Sequence, residues 1–455
     1  MTQPASPTTT TPTVAPYGSW ASPITSDLIV SGSVALGAIC LDGGDVYWTE
    51  GRAAEAGRVV IVRRTPDGAT SDLTPPPFNA RTRVHEYGGG AYTVASGVVY
   101  FSNFSDNLLY RLDPGAAPRA ITASSDLRYA DLTFDAARNR LICVREDHRG
   151  EGEAVNTLVA LNADGDESGG TVLASGYDFY SSPRLSPDGA RLAWLSWRHP
   201  NMPWDGSELW LADLAAGGAL TNARQVAGGP EESIFQPEWS PAGALTFVSD
   251  RTGWWNLYRL GADGQAEALH PLEAEFGVPQ WAFGLSTYAF ADDHTIICAY
   301  SQGGAWQLAR LDTAAGAFTL IETPYTLIGN VRVANGVAYL LAASPTEFNA
   351  LVSLDLATGS RTVLRRSADL SLDPAYISVP EPMEFPTEGS LTAHAFFYAP
   401  KNPNFTAPEE EKPPLVVHSH GGPTSATGAV LSLNTQYWTT RGFAVVDVNY
   451  GGSTG

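Results

Sequence analysis

A histidine followed by two glycines and a proline, His420-Gly421-Gly422-Pro423, is the segment with the clearest chemical potential in this sequence. The strand-like run Leu415-Val416-Val417-His418 leads into it through Ser419. Glycines at the end of a buried strand leave backbone N–H groups open to a ligand, and such donors stabilise the negative charge that develops on a carbonyl oxygen during acyl transfer. The four residues therefore predict an oxyanion-binding loop, with an ordinary Gly-Gly-Pro turn as the alternative interpretation.

A second glycine-rich segment, residues 451–455, satisfies the pattern G-x-S-x-G that surrounds the nucleophilic serine of many hydrolases. That serine requires a strand, a sharp turn and then a helix, whereas no helix follows Ser453 in this sequence. The segment also lies on the next strand after the oxyanion-binding loop, which is too early for a nucleophile in this order of elements. We therefore expect Ser453 not to be the nucleophile.

Residues 81–90 combine charged side chains with three consecutive glycines. If this segment faces the central channel of a ring-shaped fold, its charged side chains could anchor a peptide terminus. The candidate substrate contacts are Arg81, Arg83, Glu86 and Tyr87. The alternative is a connection between two structural repeats that contains a structural ion pair.

A repeated unit positions these residues. It consists of a short apolar strand, a hairpin and a second strand that ends in a glycine turn, and it occurs seven times at spacings of roughly 40–55 residues. Such units, built from four short strands, are typical of a β-propeller. The equivalent positions are Tyr47, Tyr100, Cys143, Trp194, Phe247, Cys298 and Tyr339.

The pattern changes after the seventh unit. Two strand-like runs lie within residues 375–402, a continuous apolar strand leads into the oxyanion-binding loop, and a helix at about 430–441 precedes the strand 441–450. Strand, helix and strand with continuous apolar runs predict a parallel sheet. We therefore expect an all-β seven-bladed β-propeller followed by the N-terminal part of an α/β-hydrolase domain, with boundaries 1–24 (disordered leader and entry segment), 25–365 (propeller) and 366–455 (incomplete hydrolase domain).

The charge balance excludes several classes of partner. Lysine plus arginine number 27 and aspartate plus glutamate 48, so the formal net charge is −21. Phosphate backbones and anionic membrane surfaces repel such a chain, so we expect neither nucleic acid nor a membrane as partner.

Cysteine and histidine spacing argues against a metal. The three cysteines are far apart and cannot form a disulfide framework, and no His or Cys pair has the spacing of a zinc site. We expect no metal and no other cofactor, and we expect the lone histidines to be surface or turn residues. The Pro/Thr/Ser-rich start has no signal-peptide pattern, which favours a cytoplasmic protein.

A seven-bladed propeller followed by HSHGGP and then RGFAVVDVNYGGSTG resembles the prolyl oligopeptidase family of serine peptidases. Within that family the chain is most similar to the acylaminoacyl-peptidase and dipeptidyl-aminopeptidase-like branch. The resemblance covers essentially the whole chain, including RVHEYGGGAYTV and the blades that contain SPDG.

The resemblance implies that the backbone N–H of Gly422 is one oxyanion donor and that His420 shapes the loop. It also implies a serine-type peptidase that acts on short peptides through an acyl-enzyme, with Ser, Asp and His later in the hydrolase domain. Because these positions are absent from the 455 residues, we expect the chain to be a C-terminally truncated fragment and inactive by itself. A non-catalytic propeller that binds a partner, or an esterase-type acyl hydrolase, remains an alternative, and the oligomeric state stays open.

Overall fold

The computed structural model describes residues 11–30, 33–422 and 424–454. These residues form seven four-stranded antiparallel sheets in chain order, followed by one four-stranded mixed sheet. Four-stranded antiparallel sheets repeated in this way are the blades of a β-propeller, as the sequence pattern predicts.

The first four blades contain sixteen strands. Their bounds are β2 (Val34–Asp42), β3 (Asp45–Arg52), β4 (Arg58–Arg64), β5 (Thr70–Asp72), β6 (Tyr92–Ala95), β7 (Val98–Ser102), β8 (Leu109–Leu112), β9 (Arg119–Ala120), β10 (Leu127–Asp135), β11 (Arg140–Asp147), β12 (Val155–Asn162), β13 (Thr171–Ala174), β14 (Phe179–Leu185), β15 (Arg191–Trp197), β16 (Glu208–Leu214) and β17 (Leu220–Gly228).

The last three blades contain twelve strands. Their bounds are β18 (Ile234–Trp239), β19 (Leu245–Ser249), β20 (Asn256–Leu260), β21 (Ala266–Ala268), β22 (Tyr288–Phe290), β23 (Thr295–Gln302), β24 (Ala305–Asp312), β25 (Ala317–Ile321), β26 (Leu327–Ala334), β27 (Val337–Ala343), β28 (Ala350–Asp355) and β29 (Arg361–Arg366).

The remaining elements lie outside the blades. They are β1 (Thr13–Val14), α1 (Ser26–Val30), β30 (Glu381–Pro386), β31 (Thr392–Tyr398), β32 (Phe405–Thr406), β33 (Leu415–Ser419), α2 (Leu433–Thr439), β34 (Ala444–Asn449) and short 3₁₀ turns at Ala53–Glu55, Ala136–Arg138, Pro374–Tyr376 and Glu388–Ser390. No helix within the described ranges has both the length and the apolar composition needed to cross a membrane.

The seven positions that the repeat pattern makes equivalent all lie on the second strand of a blade, from Tyr47 on β3 to Tyr339 on β27. The pattern missed the first and the fourth strands for physical reasons. Register shifts interrupt the pairing of several first strands, which breaks the alternation of side chains. The fourth strands are mostly exposed, and three of them have only two or three residues, so they lack an apolar face.

Contacts between neighbouring blades close the ring. Each neighbouring pair of blades shares one buried apolar cluster. The first and seventh blades meet through Trp48 and Leu351 and through Arg365 Nε, which donates to Glu50 Oε1 at 2.8 Å. The ring is therefore completed by side-chain packing and an ion pair between segments at opposite ends of the propeller.

The N-terminal segment differs in part from the disordered leader and entry segment predicted over 1–24. Residues 1–10 lie outside the described part, but β1 pairs in parallel with β32, and Trp20 is buried and stacks on Phe405. Ile24 is also buried. A Pro/Thr/Ser-rich composition gave no sign of this order, because the stabilising partner is a strand near residue 405, far away in sequence.

The mixed sheet has the strand order β30-β31-β34-β33. As predicted, β33 and β34 are parallel neighbours and α2 connects them, with the Ser432 hydroxyl capping the helix N-terminus. The other two strands are antiparallel additions, so the sheet is mixed rather than parallel throughout. Leu415 and Val417 on β33 stay 56% and 63% exposed in the described chain.

Candidate functional site

The glycine turn, defined here as residues 420–422, follows the carboxyl end of β33. Gly421 and Gly422 are exposed, and Gly422 adopts a φ of +68°, a left-handed conformation that favours glycine. The backbone N–H groups of both glycines have no hydrogen-bond acceptor among the described residues. The turn therefore presents free donors of the kind that an oxyanion requires; Pro423, the fourth predicted residue, lies outside the described residues.

Tyr450 holds the glycine turn from the neighbouring strand. Because β33 and β34 are parallel, their carboxyl ends lie side by side, and Tyr450 directly follows β34. Its hydroxyl donates to the carbonyl oxygen of Gly422, and its ring stacks on His420 at a centroid distance of 4.3 Å. The turn is thus supported by an aromatic side chain from its own sheet.

Trp281 holds the same region from the propeller. Its indole Nε1 donates to the carbonyl oxygen of Thr424 at 2.8 Å, and a Cβ built on Gly422 would lie 3.5 Å from the Trp281 ring. Trp281 in turn contacts Trp204 and Tyr87, at centroid distances of 4.2 and 5.1 Å. The propeller and the glycine turn are therefore in direct contact.

Ser453 and His420 form a contact that sequence reasoning did not predict. The distance from His420 Nε2 to Ser453 Oγ is 2.6 Å. The other ring nitrogen, Nδ1, lies 3.3 Å from both the Tyr450 hydroxyl and the Gly421 carbonyl. A Ser-His-Asp triad needs a carboxylate at that nitrogen, and among the described residues the contacts of His420 Nδ1 are a hydroxyl and a carbonyl instead.

A cavity of about 990 Å³, called the upper chamber here, opens beside Tyr87 and Trp281. It is lined by connections between blades and by connections between second and third strands, so it lies on the same face of the ring as the glycine turn. Phe179, Trp197 and Phe283 form its aromatic wall. Apolar walls with a few polar groups are typical of ligand-binding cavities.

Four carboxylates supply the charge of the upper chamber: Glu86, Glu146, Glu153 and Asp178. Glu146 is already engaged, because Oε1 accepts the backbone N–H of His85 at 2.7 Å and Oε2 contacts His148 Nε2 at 3.0 Å. The carboxylates of Glu86 and Glu153 make no hydrogen bond or ion pair with another described residue. They are available to a positively charged ligand.

Of the four residues predicted to contact a substrate terminus, two line the upper chamber and two do not. Glu86 and Tyr87 line the upper chamber. Arg81 and Arg83 instead lie over the ring of Phe104, with their guanidinium carbons 4.7 and 4.8 Å from the ring centroid. The structure thus places Glu86 and Tyr87 at the chamber. Both arginines instead pack on Phe104, outside the chamber.

His85 lies in the turn at residues 84–87, as predicted for a lone propeller histidine, but its ring packs among aromatic side chains instead of facing the surface. Phe179, Trp197 and Phe283 surround its ring at centroid distances of 5.1, 5.5 and 4.7 Å. Burial lowers the pKa of His85 to about 3, with Asn156 opposing the shift. The imidazole is therefore neutral at physiological pH and contributes to the wall of the chamber rather than to its charge.

Sequence reasoning missed Glu146, Trp197 and Trp281 as chamber residues. None of these residues belongs to a motif, and each reaches the chamber only through the closed ring. For Trp281 a weak signal exists, because it lies in an unusually long connection between β21 and β22. No group of three or more His, Cys, Asp or Glu in the described ranges could hold a metal ion.

Replacing Trp281 with Phe tests the contact between the propeller and the glycine turn. The Trp281→Phe variant loses one hydrogen bond, a contribution of about 1 kcal/mol, and we expect faster amide hydrogen exchange over residues 424–431. The matched control is Trp254→Phe, because Trp254 is 38% exposed and its indole makes no hydrogen bond in the described chain. Equal exchange in the two variants would contradict the proposed role of Trp281.

The depressed pKa of His85 predicts a loss of stability in acid. Between the ordinary value of 6.5 and about 3, the unfolded chain binds a proton that the folded chain does not. The wild-type free energy of unfolding should therefore fall by about 1–2 kcal/mol more than that of His85→Gln between pH 6.5 and pH 5. Urea unfolding at the two pH values measures this difference, and parallel losses in both proteins would refute it.

Solved structures similar to this chain include a puromycin hydrolase and several peptidases. A puromycin hydrolase is 39% identical with a TM-score of 0.91, and the match covers 97% of this chain and 70% of that one. A puromycin-hydrolyzing peptidase of Mycobacterium tuberculosis is 35% identical with a TM-score of 0.92 and the same coverages. Prolyl oligopeptidase B from Galerina marginata shares the fold at 12% identity, with a TM-score of 0.72 over 93% of this chain and 63% of that one.

No protein-family model and no curated protein matches the sequence. The structural matches nevertheless extend over blades and mixed sheet alike, since they cover 97% of the chain at up to 39% identity. The family resemblance seen in the sequence is therefore confirmed: the chain belongs to the prolyl oligopeptidase family, whose members are peptidases.

Proposed function

We propose that this chain provides the propeller, the substrate chamber and one oxyanion donor of a serine-type peptidase that acts on short peptides. The observation that carries the proposal is the free backbone N–H of Gly422 on a turn that contacts the upper chamber through Trp281. A donor at this place supports acyl transfer next to a cavity large enough for a few residues. Membership of a peptidase family supports peptides rather than other acyl compounds as substrates.

The proposed mechanism is acyl-enzyme hydrolysis. A serine attacks the scissile carbonyl while a histidine accepts its proton and an aspartate orients that histidine. The N–H of Gly422 donates to the carbonyl oxygen as it becomes negative, which lowers the barrier because the donor is already oriented. The parallel pair β33 and β34 with α2 between them supports the assignment of residues 366–455 to an α/β-hydrolase domain.

The charge of the upper chamber supports recognition of a peptide amino end. An ammonium group would pair with the free carboxylates of Glu86 and Glu153, while the aromatic wall would pack against the first side chains. This preference for the amino end extends the expectation that residues 81–90 anchor a peptide terminus.

The cellular location and the partners form part of the same proposal. Cys40, Cys143 and Cys298 are free thiols in the described chain, and burial raises the pKa of each. We propose a cytoplasmic protein that binds short peptides rather than nucleic acid or a membrane.

Peptide binding tests the proposed recognition. Trialanine with a free amino end should bind at least about tenfold more tightly than acetylated trialanine, since acetylation removes the charge that the carboxylates bind. Glu86→Gln and Glu153→Gln should each weaken trialanine, whereas Glu410→Gln in an exposed loop should not. Isothermal titration calorimetry measures the Kd values, and equal affinity for both peptides would refute the proposal.

Hydrolysis tests the role of Ser453. The 455-residue chain should not release p-nitroaniline from Ala-Ala-p-nitroanilide, because His420 Nδ1 contacts Tyr450 and Gly421 instead of a carboxylate. The Ser453→Ala variant should behave identically. Turnover that Ser453→Ala abolishes would make Ser453 the nucleophile and would overturn this assignment.

A further inference from the structure

Two loops meet inside the ring. One comprises residues 88–90, between the first and second blades, and the other residues 282–284, between the fifth and sixth. The backbone N–H of Phe283 donates to the Gly88 carbonyl at 2.8 Å, and Gly89 and Phe283 form a parallel β-bridge. Blades one and five lie across the ring from each other, so this contact, called the plug here, spans the central channel.

The three consecutive glycines fit the plug and leave no room for side chains. A Cβ on Gly88 would lie 2.2 Å from the Thr82 carbonyl oxygen, and a Cβ on Gly89 would lie 2.4 Å from the Phe283 carbonyl oxygen. Both glycines also adopt positive φ angles, of 68° and 87°. The sequence YGGG, which the oxyanion chemistry does not explain, is therefore required by close backbone contact inside the channel.

Both loops of the plug are attached to the wall of the ring. The Gly90 carbonyl accepts the backbone N–H of Asp131 at 2.9 Å, and Asp131 pairs with Arg184 at 3.1 Å. On the other side, Arg332 Nη2 donates to the Gly284 carbonyl at 3.3 Å. The attachments come from the third and seventh blades, so the plug is held from two directions.

The plug separates two cavities. The lower chamber, of about 800 Å³, is lined by the ends of first strands and the turns that follow them, and includes Cys40, Ala95 and Gly284. These turns lie on the opposite face of the ring from the connections that line the upper chamber. Among the described residues, none lines both cavities. Of the plug residues, Phe283 lines the upper chamber and Gly284 lines the lower chamber.

We propose that the plug closes the central channel, so that the upper chamber is blind and peptides enter and leave it from the side. The side opening lies at the exposed connection between β11 and β12, next to Val155, the first residue of β12, which is 61% exposed. This inference deepens the proposed function and rests on it: a blind chamber accepts the end of a peptide and excludes a chain threaded through the ring.

Thiol labelling on each side of the plug tests this without any peptide. Cys40 reports on the lower chamber, and Gln280→Cys in a Cys40→Ser background reports on the upper chamber. The probe is the trimethylammonium-ethyl methanethiosulfonate cation, used at alkaline pH because burial raises the pKa of the Cys40 thiol. Cys143 and Cys298 are fully buried and serve as silent thiols.

Two tryptophan substitutions obstruct one chamber each. Ala95→Trp fills the lower chamber and Ala154→Trp fills the side opening of the upper chamber. We expect each to slow labelling of the reporter on its own side at least about tenfold and to leave the other rate within twofold. Thr93→Trp and Val155→Trp replace them if thermal melting shows that either variant fails to fold.

If Ala95→Trp slowed labelling of the Gln280→Cys reporter, the proposed closure of the channel would be wrong. That result would show that the probe passes through the ring from the lower to the upper chamber. Since no peptide is involved, these rates remain informative even if trialanine fails to bind. Failure of trialanine to bind the unmodified chain would overturn the proposed function instead. If trialanine binds, Ala154→Trp should slow its association and Ala95→Trp should not; the reverse would also refute access from the side.

Discussion

Closure of the ring between its first and seventh blades is the constraint on which the candidate site depends. Trp48 and Leu351 pack across this seam, and Glu50, which is buried, accepts from Arg365 and from Trp48. The upper chamber takes its walls from connections that lie from residue 85 to residue 283. These side chains surround one cavity only because the ring is closed, so packing far from the chamber determines its shape.

The same face of the ring also positions the glycine turn. Trp281 contacts Thr424, the Thr326 hydroxyl donates to the Ala429 carbonyl, and the Ser344 carbonyl accepts the N–H of Leu431. All three propeller residues lie on connections of the type that lines the upper chamber. The mixed sheet is therefore held over the chamber, with the free donor of Gly422 next to the aromatic wall. The geometry accounts for how the ring contributes to the proposed peptidase site.

The sequence was sufficient to predict elements whose evidence is local. The second and third strands of each blade have an apolar alternation and a glycine turn, and the glycine turn at 420–422 follows a continuous apolar strand. The sequence was insufficient where the position of a residue depends on a partner that is distant along the chain. Trp281, Glu146 and the neutral His85 meet only in the closed ring, and β1 is ordered by a strand near residue 405. The glycines at 88–90 were visible, but their reason, contact with Phe283, was not.

The central claim is that a peptide lies between the propeller and the glycine turn. Photo-crosslinking with trialanine extended at its carboxyl end by benzoylphenylalanine, followed by peptide mapping, tests it most directly. The account predicts adducts on residues 420–424 and on the lining of the upper chamber, with competition by unmodified trialanine. Adducts confined to the lower chamber or to the outer surface of the blades would contradict it.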